Sequence, residues 1–373
     1  MISFWEKQYN RQEFDVTIIG AGFTGLFSAW FILKENPKAK IAIVDTSFPP
    51  PAASTRNAGF ACFGSPTEIL EDLSKESEES VLKRVEMRIQ GLENLKSVCG
   101  ETEINFTDYG GFEIFDKNDT ALFDGTASQL EYLNALLHPF NGKDTFEISD
   151  QKQHSFKNAI KINFEGQINP FLAWKSLYSN IAAFLGVHFI SEQAIDINSS
   201  DTGTSVKTKN HTVTSQKVIV ATNGFTKRLM PQLSIAPARA QVLITSPIEN
   251  LKLKGSFHMD RGFVYFRNVG NRVLLGGYRN LDTATEETDA LELNPNIQKS
   301  LELLLKKEIL PNQNFEIEHR WSGIMGFGEK QEKDFLIEEP LPNVITALRL
   351  GGMGVAISSA VAKLAVKKMS GLS

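Results

Sequence analysis

The feature that most constrains this chain of 373 residues is a strand–turn–helix–strand pattern over residues 15–45. A short apolar run ends at Gly20, as expected for a buried parallel strand. Gly20, Gly22 and Gly25 then fill the G-x-G-x-x-G spacing. We expect the first glycine to allow a tight turn and the second to let the backbone approach a pyrophosphate. The third should let helix and strand pack closely.

The residues that follow this turn point to the same kind of site. A helix over residues 24–33 should direct its first N–H groups, near Phe23 and Thr24, toward a phosphate. The second strand ends at Asp45, whose carboxylate can accept hydrogen bonds from a ribose diol and would repel the 2′-phosphate of NADP. Strand, glycine turn, helix and acid together predict a dinucleotide site.

Length and composition narrow the class of protein. A chain this long exceeds a usual single core, so two domains are expected. The net charge of −5 argues against nucleic-acid binding, and there is no basic cluster. Cys62 and Cys99 have no metal-ligand spacing, so we predict buried thiols, no metal site and a reducing compartment. No apolar run is long enough to span a bilayer and residues 1–14 lack a signal-peptide core, so a cytoplasmic location is expected.

The chain after Asp45 distinguishes between dinucleotides. An NAD dehydrogenase would continue with another helix and a third parallel strand. Residues 46–68 are instead rich in Pro, Ser, Ala and Gly and cannot be regular throughout, so we predict a long ordered loop. Because this loop leaves the position where the ribose would lie, it indicates a larger, permanently held dinucleotide, which favours FAD.

Five further segments, taken with the first motif, resemble the D-amino-acid oxidase and glycine oxidase family of flavoenzymes over nearly the whole chain. They are ASTRNAGF at 53–60, INPFLAWKSL at 168–177, VATNG at 220–224, HRWSGIMG at 319–326 and LGGMG at 350–354. In that family the first lies beneath the flavin, VATNG is similar to a second adenosine-side contact, and the last segment caps the flavin. The resemblance therefore implies FAD contacts at Ser54, Thr55, Arg56, Asn57, Ala58, Gly59, Ala221, Thr222, Asn223, Gly224, Gly323, Gly351, Gly352, Met353 and Gly354.

The resemblance also implies the fold class. We expect an α/β protein with a discontinuous Rossmann-like FAD-binding domain and a β-rich second domain that covers the flavin. The FAD-binding domain is predicted to comprise residues 1–90, 150–230 and 325–373. Residues 91–149 and 231–324 are predicted to form the substrate-binding domain.

Local patterns predict several individual elements. Val81, Val85, Ile89, Leu92 and Leu95 recur at helical spacing and predict an amphipathic helix. Residues 106–115 alternate around a Gly-Gly pair, which favours a hairpin. Strands are predicted over 239–246, 263–267 and 272–277, with helices over 297–309 and 355–369.

The resemblance implies the chemistry as well. Amine oxidation in the family is a hydride transfer from the carbon that bears nitrogen to flavin N5, and it needs a neutral amine rather than a strong base. The glycine turn at 351–354 would present backbone N–H groups and a helix dipole to the charge of the reduced flavin. None of the six histidines has a recognisable catalytic spacing. The loop ASTRNAGF holds neither Cys nor His, so we predict non-covalent FAD, although Cys62 lies nearby.

Substrate binding departs from the family pattern at one position. Its amino-acid oxidases usually carry an arginine two residues after the glycine of the W-[AS]-G motif, where it binds the substrate carboxylate. Here that residue is Met325, which cannot form a bidentate pair. Other residues therefore become candidates for substrate contact, namely Arg56, Tyr265, Arg267, Tyr278, Arg279, Trp321 and Arg349.

The sequence thus predicts an FAD-dependent oxidoreductase that oxidises the C–N bond of a small amine or amino acid. Its electron acceptor is expected to be O₂ or an electron carrier. One alternative keeps the flavin but places the amine inside a larger molecule, such as a modified tRNA base. Another is a flavin-binding redox protein without catalysis.

Overall fold

The computed structural model of the chain describes residues 3–9, 13–152, 154–328 and 334–371. Residues 10–12 and 329–333, which belong to the predicted FAD-binding segments, lie outside this description. The described α-helices are α1 (Phe4–Tyr9), α2 (Phe23–Glu35), α3 (Ala53–Arg56), α4 (Pro66–Leu73), α5 (Glu78–Cys99), α6 (Thr120–Ala127), α7 (Leu130–Asn141), α8 (Pro170–Ala182), α9 (Thr283–Glu286), α10 (Pro295–Leu304) and α11 (Gly354–Met369).

The strands form two large sheets and a short ribbon. The seven-stranded sheet contains β1 (Glu13–Ile19), β2 (Ile41–Asp45), β8 (Val187–Ser191), β9 (Ala194–Ser200), β10 (Gly203–Thr208), β11 (Thr212–Val220) and β17 (Val344–Thr346). The eight-stranded sheet contains β4 (Gly111–Ile114), β5 (Phe146–Ile148), β6 (Ala159–Ile162), β12 (Ala236–Thr245), β13 (Ser256–Met259), β14 (Val264–Val269), β15 (Arg272–Gly277) and β16 (Ile317–Phe327). The ribbon pairs β3 (Phe60–Ala61) with β7 (Gly166–Gln167).

The seven-stranded sheet is built around β1. This strand pairs in parallel with β2 on one side and β11 on the other, and β8 extends the parallel part beyond β2. Helices α2, α5, α8 and α11 supply apolar side chains to one core cluster against this sheet. Since parallel strands are buried on both faces, a second apolar cluster containing Phe14, Val44 and Val218 is also formed. This is the Rossmann-like α/β arrangement that the sequence predicts.

The eight-stranded sheet has the strand order β16-β12-β15-β14-β13-β4-β6-β5. Its core includes three stacked aromatic rings. The ring centroids of Phe257 and Phe266 are 4.8 Å apart, and those of Phe112 and Phe257 are 5.1 Å apart. Helix α10 adds Ile297 and Leu301 to the same cluster. Aromatic pairs of this kind stabilise a core beyond the area they bury.

Most of the predicted elements are confirmed, with shifted ends. The helices predicted over 81–95 and 355–369 are α5 and α11, and the strands predicted over 239–246, 263–267 and 272–277 are β12, β14 and β15. The helix predicted over 297–309 begins at Pro295, and its final turn, Leu305–Ile309, is a π-helix. The long segment after Asp45 holds only short pieces of regular structure, namely α3, β3 and the start of α4.

The predicted hairpin over 106–115 is wrong. Only the second half forms a strand, β4, which pairs in parallel with β13 and antiparallel with β6. Thr107 instead makes an isolated bridge to Gln167. The alternation of apolar residues in β4 thus reflects an interior position between two strands distant in sequence, and not a partner across the Gly-Gly pair.

The predicted domain limits stay a prediction. Strand β6 of the second predicted FAD segment pairs in the eight-stranded sheet. Helix α5 crosses the predicted limit at residue 90, and it packs on α11 of the predicted FAD-binding domain. Within the described parts of the chain, no helix is both long and apolar enough to cross a membrane.

Candidate functional site

A cavity of about 1020 Å³ lies between the carboxyl ends of the parallel strands and the eight-stranded sheet. Ile19, Val44 and Ala221, at the ends of β1, β2 and β11, line one part of it, and Val242 and Tyr265 of the other sheet line another. Its volume is at the upper end of the ~300–1,000 Å³ usual for ligand sites. The carboxyl edge of such a sheet is where α/β proteins bind ligands.

The glycine turn at the end of β1 has the tight geometry that its sequence predicts. Gly20 has φ +107°, and a Cβ there would lie 2.6 Å from the carbonyl oxygen of Ala221. A Cβ at Gly25 would overlap the carbonyl oxygen of Gly20, so α2 packs directly on β1. Gly22 is the N-cap of α2 and has no side chain to cap it. The N-terminus of this helix therefore faces the cavity with its dipole available to a phosphate.

Asp45 joins the end of β2 to this turn. Its carboxylate accepts hydrogen bonds from the backbone N–H of Ala21 and of Thr46, both at 2.7 Å. Burial raises the pKa of Asp45, and these hydrogen bonds oppose that effect. Asp45 lines the cavity, and the predicted contact of its carboxylate with a ribose stays a prediction.

The segment after Asp45 is fixed by hydrogen bonds to distant parts of the chain. Ser54 Oγ accepts a hydrogen bond from the N–H of Phe23 at 2.8 Å, which ties α3 to the start of α2. Arg56 donates to the carbonyl of Ser322, and the indole N–H of Trp321 donates to the carbonyl of Arg56 at 2.8 Å. The loop predicted to lie beneath the flavin is thus held between the start of α2 and strand β16.

Two further predicted cofactor segments meet at Asn223. This residue has φ +43°, and its side-chain oxygen accepts hydrogen bonds from the N–H of Arg349 at 3.0 Å and of Leu350 at 3.4 Å. The short 3-10 helix Gly351–Met353 follows and leads into α11, whose first residue is Gly354. The VATNG turn therefore supports the glycine turn that is predicted to cap the flavin.

The cavity brings most of the predicted residues together. From the cofactor prediction it is lined by Gly20, Gly22, Phe23, Thr24, Asp45, Ser54, Arg56, Asn57, Ala58, Gly59, Ala221, Thr222, Asn223, Gly323, Gly351, Gly352, Met353 and Gly354, and from the substrate prediction by Tyr265, Arg279, Met325 and Arg349. The described residues that line it do not include Gly25, Thr55, Gly224, Arg267, Trp321 or Tyr278. Gly25 and Thr55 act on the site through packing and a hydrogen bond to Pro50.

The candidate arginines differ in their surroundings. Arg267 is buried, and its guanidinium donates to Gln167 Oε1 at 3.1 Å and to the carbonyl of Ile168 at 3.0 Å. Burial lowers the pKa of Arg267 to about 10. Arg279 is half-buried and lies over the ring of Phe327, 5.0 Å from its centroid. This geometry favours a structural role for Arg267. Arg279 remains a substrate candidate at the cavity, together with Arg56 and Arg349.

Tyr265 and Trp321 occupy different places in the wall. Tyr265 lines the cavity beside Phe60, with ring centroids 5.7 Å apart, and burial raises its pKa to about 12. Trp321 stacks on His319 with a centroid distance of 5.6 Å and packs in a cluster with Ala58, Val242 and Leu274. Trp321 thus supports the loop that carries Arg56, while the phenol of Tyr265 stays protonated and uncharged.

Sequence reasoning missed a buried charged pair in the cavity wall. His258 Nε2 lies 3.0 Å from Glu165 Oε2, and His258 lines the cavity. Burial alone would lower the pKa of His258, but Glu165 raises it to about 9. The two residues are 93 positions apart, and no spacing in the sequence relates them.

The residues at the carboxyl edge fit FAD. The glycine turn, the N-terminus of α2, whose N-cap residue Gly22 has no side chain, and the acid at the end of β2 match the pyrophosphate and ribose of a dinucleotide. The cavity continues from there to the turn at 351–354 and to the eight-stranded sheet, so it extends well beyond an adenosine site. When bound, FAD would supply a two-electron acceptor for the substrate.

Comparison with known proteins agrees with this geometry. Residues 15–368 match the DAO family model, described as FAD dependent oxidoreductase. The chain is 24% identical to the probable oxidoreductase OrdL of Rhizobium meliloti (strain 1021), over 94% of this chain and 81% of that protein.

Solved structures share the fold at low sequence identity. A glycine oxidase from Geobacillus kaustophilus is 18% identical with a TM-score of 0.73, covering 97% of this chain and 95% of that one. An L-proline dehydrogenase from P. horikoshii is 16% identical with a TM-score of 0.74, covering 97% and 95%. An L-amino acid deaminase from Proteus vulgaris is 17% identical with a TM-score of 0.72, covering 97% and 91%. With the match over nearly its whole length, the chain belongs to the DAO family of FAD-dependent oxidoreductases.

Proposed function

We propose that this protein oxidises the C–N bond of a small amino acid, with a plain amine as the less favoured substrate. The observation that carries this proposal is Arg279. Its guanidinium lines the cavity, and within the described chain it makes no ion pair. The similar structures include a glycine oxidase, an L-amino acid deaminase and an L-proline dehydrogenase, which supports an amino-acid substrate.

The turn after β15 places the charge of Arg279 at the cavity. Tyr278 adopts a left-handed conformation with φ +59°, which turns the chain directly after β15. Burial lowers the pKa of Arg279, yet a guanidinium keeps its charge at neutral pH. The Phe327 ring lies against one face, and among the described residues no ion-pair partner takes up the guanidinium, so its N–H groups can pair with a planar carboxylate.

Met325 lies on β16 and Arg279 lies just beyond the end of β15, and both residues line the same cavity. Strand β12 separates β16, which carries Met325, from β15, which precedes Arg279. In the family resemblance the carboxylate-binding arginine would stand at position 325. We infer that Arg279 supplies this charge from the turn that follows β15, while the Met325 thioether forms part of the apolar wall.

The other wall residues exclude water from the reacting carbon. Phe60, Tyr265, Met325 and Phe327 form an apolar and aromatic surface around the part of the cavity that faces the eight-stranded sheet. A dry wall strengthens the pair between Arg279 and a carboxylate and favours a neutral amine. FAD, when bound, would supply the hydride acceptor, and the oxidised substrate would be an imine that water hydrolyses to a carbonyl compound and ammonia or an amine.

Arg279→Lys tests the proposal because it keeps the charge and removes the bidentate fork. We expect the apparent Kd or KM for the amino acid to weaken at least tenfold, about 1.4 kcal/mol, with little change for the decarboxylated amine. The measurement is anaerobic bleaching of the flavin by both compounds. Arg272→Lys is the matched control, because Arg272 begins the same strand and pairs with Glu318 at the surface.

Other outcomes identify the alternatives. If the decarboxylated amine is the better substrate of the unmodified protein, the carboxylate proposal fails and a plain-amine oxidoreductase remains. Retention on RNA at low salt would favour an amine within a modified tRNA base. Peroxide formation in air identifies O₂ as the acceptor, and its absence during turnover with a quinone identifies an electron carrier.

A further inference from the structure

A cluster of three buried side chains in the cavity wall remains unused by the proposed reaction. Cys62 Sγ, a carboxylate oxygen of Glu165 and an imidazole nitrogen of His258 all lie within 4.8 Å of one another. All three residues are buried, and Cys62 and His258 line the cavity. We propose that Cys62, Glu165 and His258 form a binding site for one divalent cation of the zinc type.

The pairing of the two strands of the ribbon places two of the three donors side by side. Ala61 of β3 pairs with Gly166 of β7 in antiparallel register. The next residues outward, Cys62 and Glu165, therefore lie opposite one another, at a spacing where side chains meet. His258 lies on β13 of the eight-stranded sheet. A cation held by all three would join the ribbon to that sheet.

The donor set suits zinc. Thiolate, imidazole and carboxylate are its usual protein ligands, and sites with three protein ligands leave a fourth position for water or another ligand. Tetrahedral coordination would place the donor atoms roughly 3.4–3.6 Å apart. The Nε2–Oε2 distance of 3.0 Å and the 4.8 Å limit for the cluster bracket this range, so side-chain movements of about an ångström suffice.

An ion pair between His258 and Glu165 alone would not explain why the Cys62 thiol lies beside both groups. Outside this cluster, the Cys62 sulfur lies 3.9 Å from Met353 Sδ, a weak acceptor. Glu165 is completely buried, and it follows Phe164, which has the strained value φ +68°. The guanidinium of Arg88 donates a hydrogen bond to the carbonyl of Phe63 at 2.9 Å, and it makes no ion pair with Glu165 within the described chain. The cavity gives a cation a route to the cluster.

The test is a Zn²⁺ titration of the FAD-loaded protein after chelation and desalting. We expect one Zn²⁺ per chain by calorimetry and by metal analysis, and binding at least tenfold weaker in Cys62→Ser. This variant keeps the His258–Glu165 pair intact, so it separates a metal site from an ion pair. Cys99→Ser is the matched control, since Cys99 is the other buried free cysteine and its thiol donates instead to the carbonyl of Ala173, at 3.6 Å.

Two further measurements keep the test decisive. Co²⁺ should give d–d bands at wavelengths beyond the flavin absorption in the unmodified protein and in Cys99→Ser, with lower intensity in Cys62→Ser. His258→Gln should bind Zn²⁺ as weakly as Cys62→Ser, provided that circular dichroism and FAD content match. Equal Zn²⁺ affinity in Cys62→Ser and the unmodified protein, or no binding at one per chain, would overturn the proposal and leave an ion pair only.

Discussion

At the scale of single residues, the glycine turn after β1 shows how far local sequence determines the geometry of the predicted phosphate site. A Cβ at Gly22 would lie 2.9 Å from Ser54 Oγ, the atom that accepts the hydrogen bond from Phe23 N–H. The spacing alone predicts that Gly22 must remain small. The identity of the neighbour, Ser54, follows only from the fold of the loop after Asp45.

Gly22→Val should yield colourless protein. The branched side chain would displace Ser54 and occupy the space in front of the α2 N-terminus, so FAD should not be retained. Absorbance of the purified protein, with FAD released by acid or heat, measures this. Gly125→Ala is the control, because a Cβ there meets nothing within 4 Å. A full complement of FAD in Gly22→Val would show that the phosphate site lies elsewhere.

The arginine candidates show where residue patterns cease to be informative. Arg267 and Arg279 each follow a tyrosine closely in sequence, and nothing local distinguishes them. In the fold, Arg267 lies inside β14 and binds Gln167, while Arg279 lies just beyond β15 at the cavity. The difference depends on strand ends and on partners about 100 residues away, which a single sequence does not reveal.

At the scale of elements, the turn before α11 should tune the reduced flavin. Gly352→Pro removes one backbone N–H and constrains the entry to the helix. We expect the two-electron potential to fall by less than about 65 mV, because losing a full oxyanion donor costs about 3 kcal/mol. Gly352→Ala keeps the N–H and serves as control, since its Cβ would meet nothing within 4 Å. An unchanged potential in FAD-loaded Gly352→Pro would remove this turn from the flavin's electrostatics.

The segment that carries Arg279 is fixed by a buried ion pair. Glu286 is fully buried and accepts hydrogen bonds from Arg239 Nε at 2.9 Å and Nη2 at 2.7 Å, and from Gln241 and Asn294. Burial raises the pKa of Glu286, but these hydrogen bonds outweigh it and leave the pKa below its ordinary value. The pair is therefore a stabilising contact above the unfolded pKa of Glu286, near 4.5, and is lost as pH falls through the lower folded pKa.

Glu286→Gln should loosen this segment. It leaves Arg239 buried without its counter-charge, so we expect a loss of about 3–5 kcal/mol in unfolding free energy. In the folded variant KM for the amino acid should rise more than kcat falls, because Arg279 is less well positioned. Chemical denaturation at pH 7 and steady-state kinetics measure both. Glu302→Gln, which removes an exposed pair with Arg320, should change neither, and equal behaviour of the two variants would contradict this role.

At the scale of the whole molecule, the two large sheets differ in how far sequence predicts them. The parallel core of the seven-stranded sheet begins with a continuous strand–helix–strand unit, so local patterns suffice. The eight-stranded sheet pairs β4 with β13, which follows it only after β5 to β12, and β6 and β5 extend the sheet beyond β4. Contacts of such separation leave no local pattern, which is why the hairpin prediction at 106–115 was wrong and the Glu165–His258 pair was missed.

The most direct test of the account is anaerobic reduction of the purified, FAD-loaded protein. Visible spectra would be recorded against a panel of amino acids, each paired with its decarboxylated amine. The account predicts loss of the oxidised flavin bands with at least one amino acid, and slower or no bleaching with the matching amine. A protein that holds FAD but is bleached by no amino acid and no amine would contradict the proposed reaction and indicate a redox protein without this catalysis.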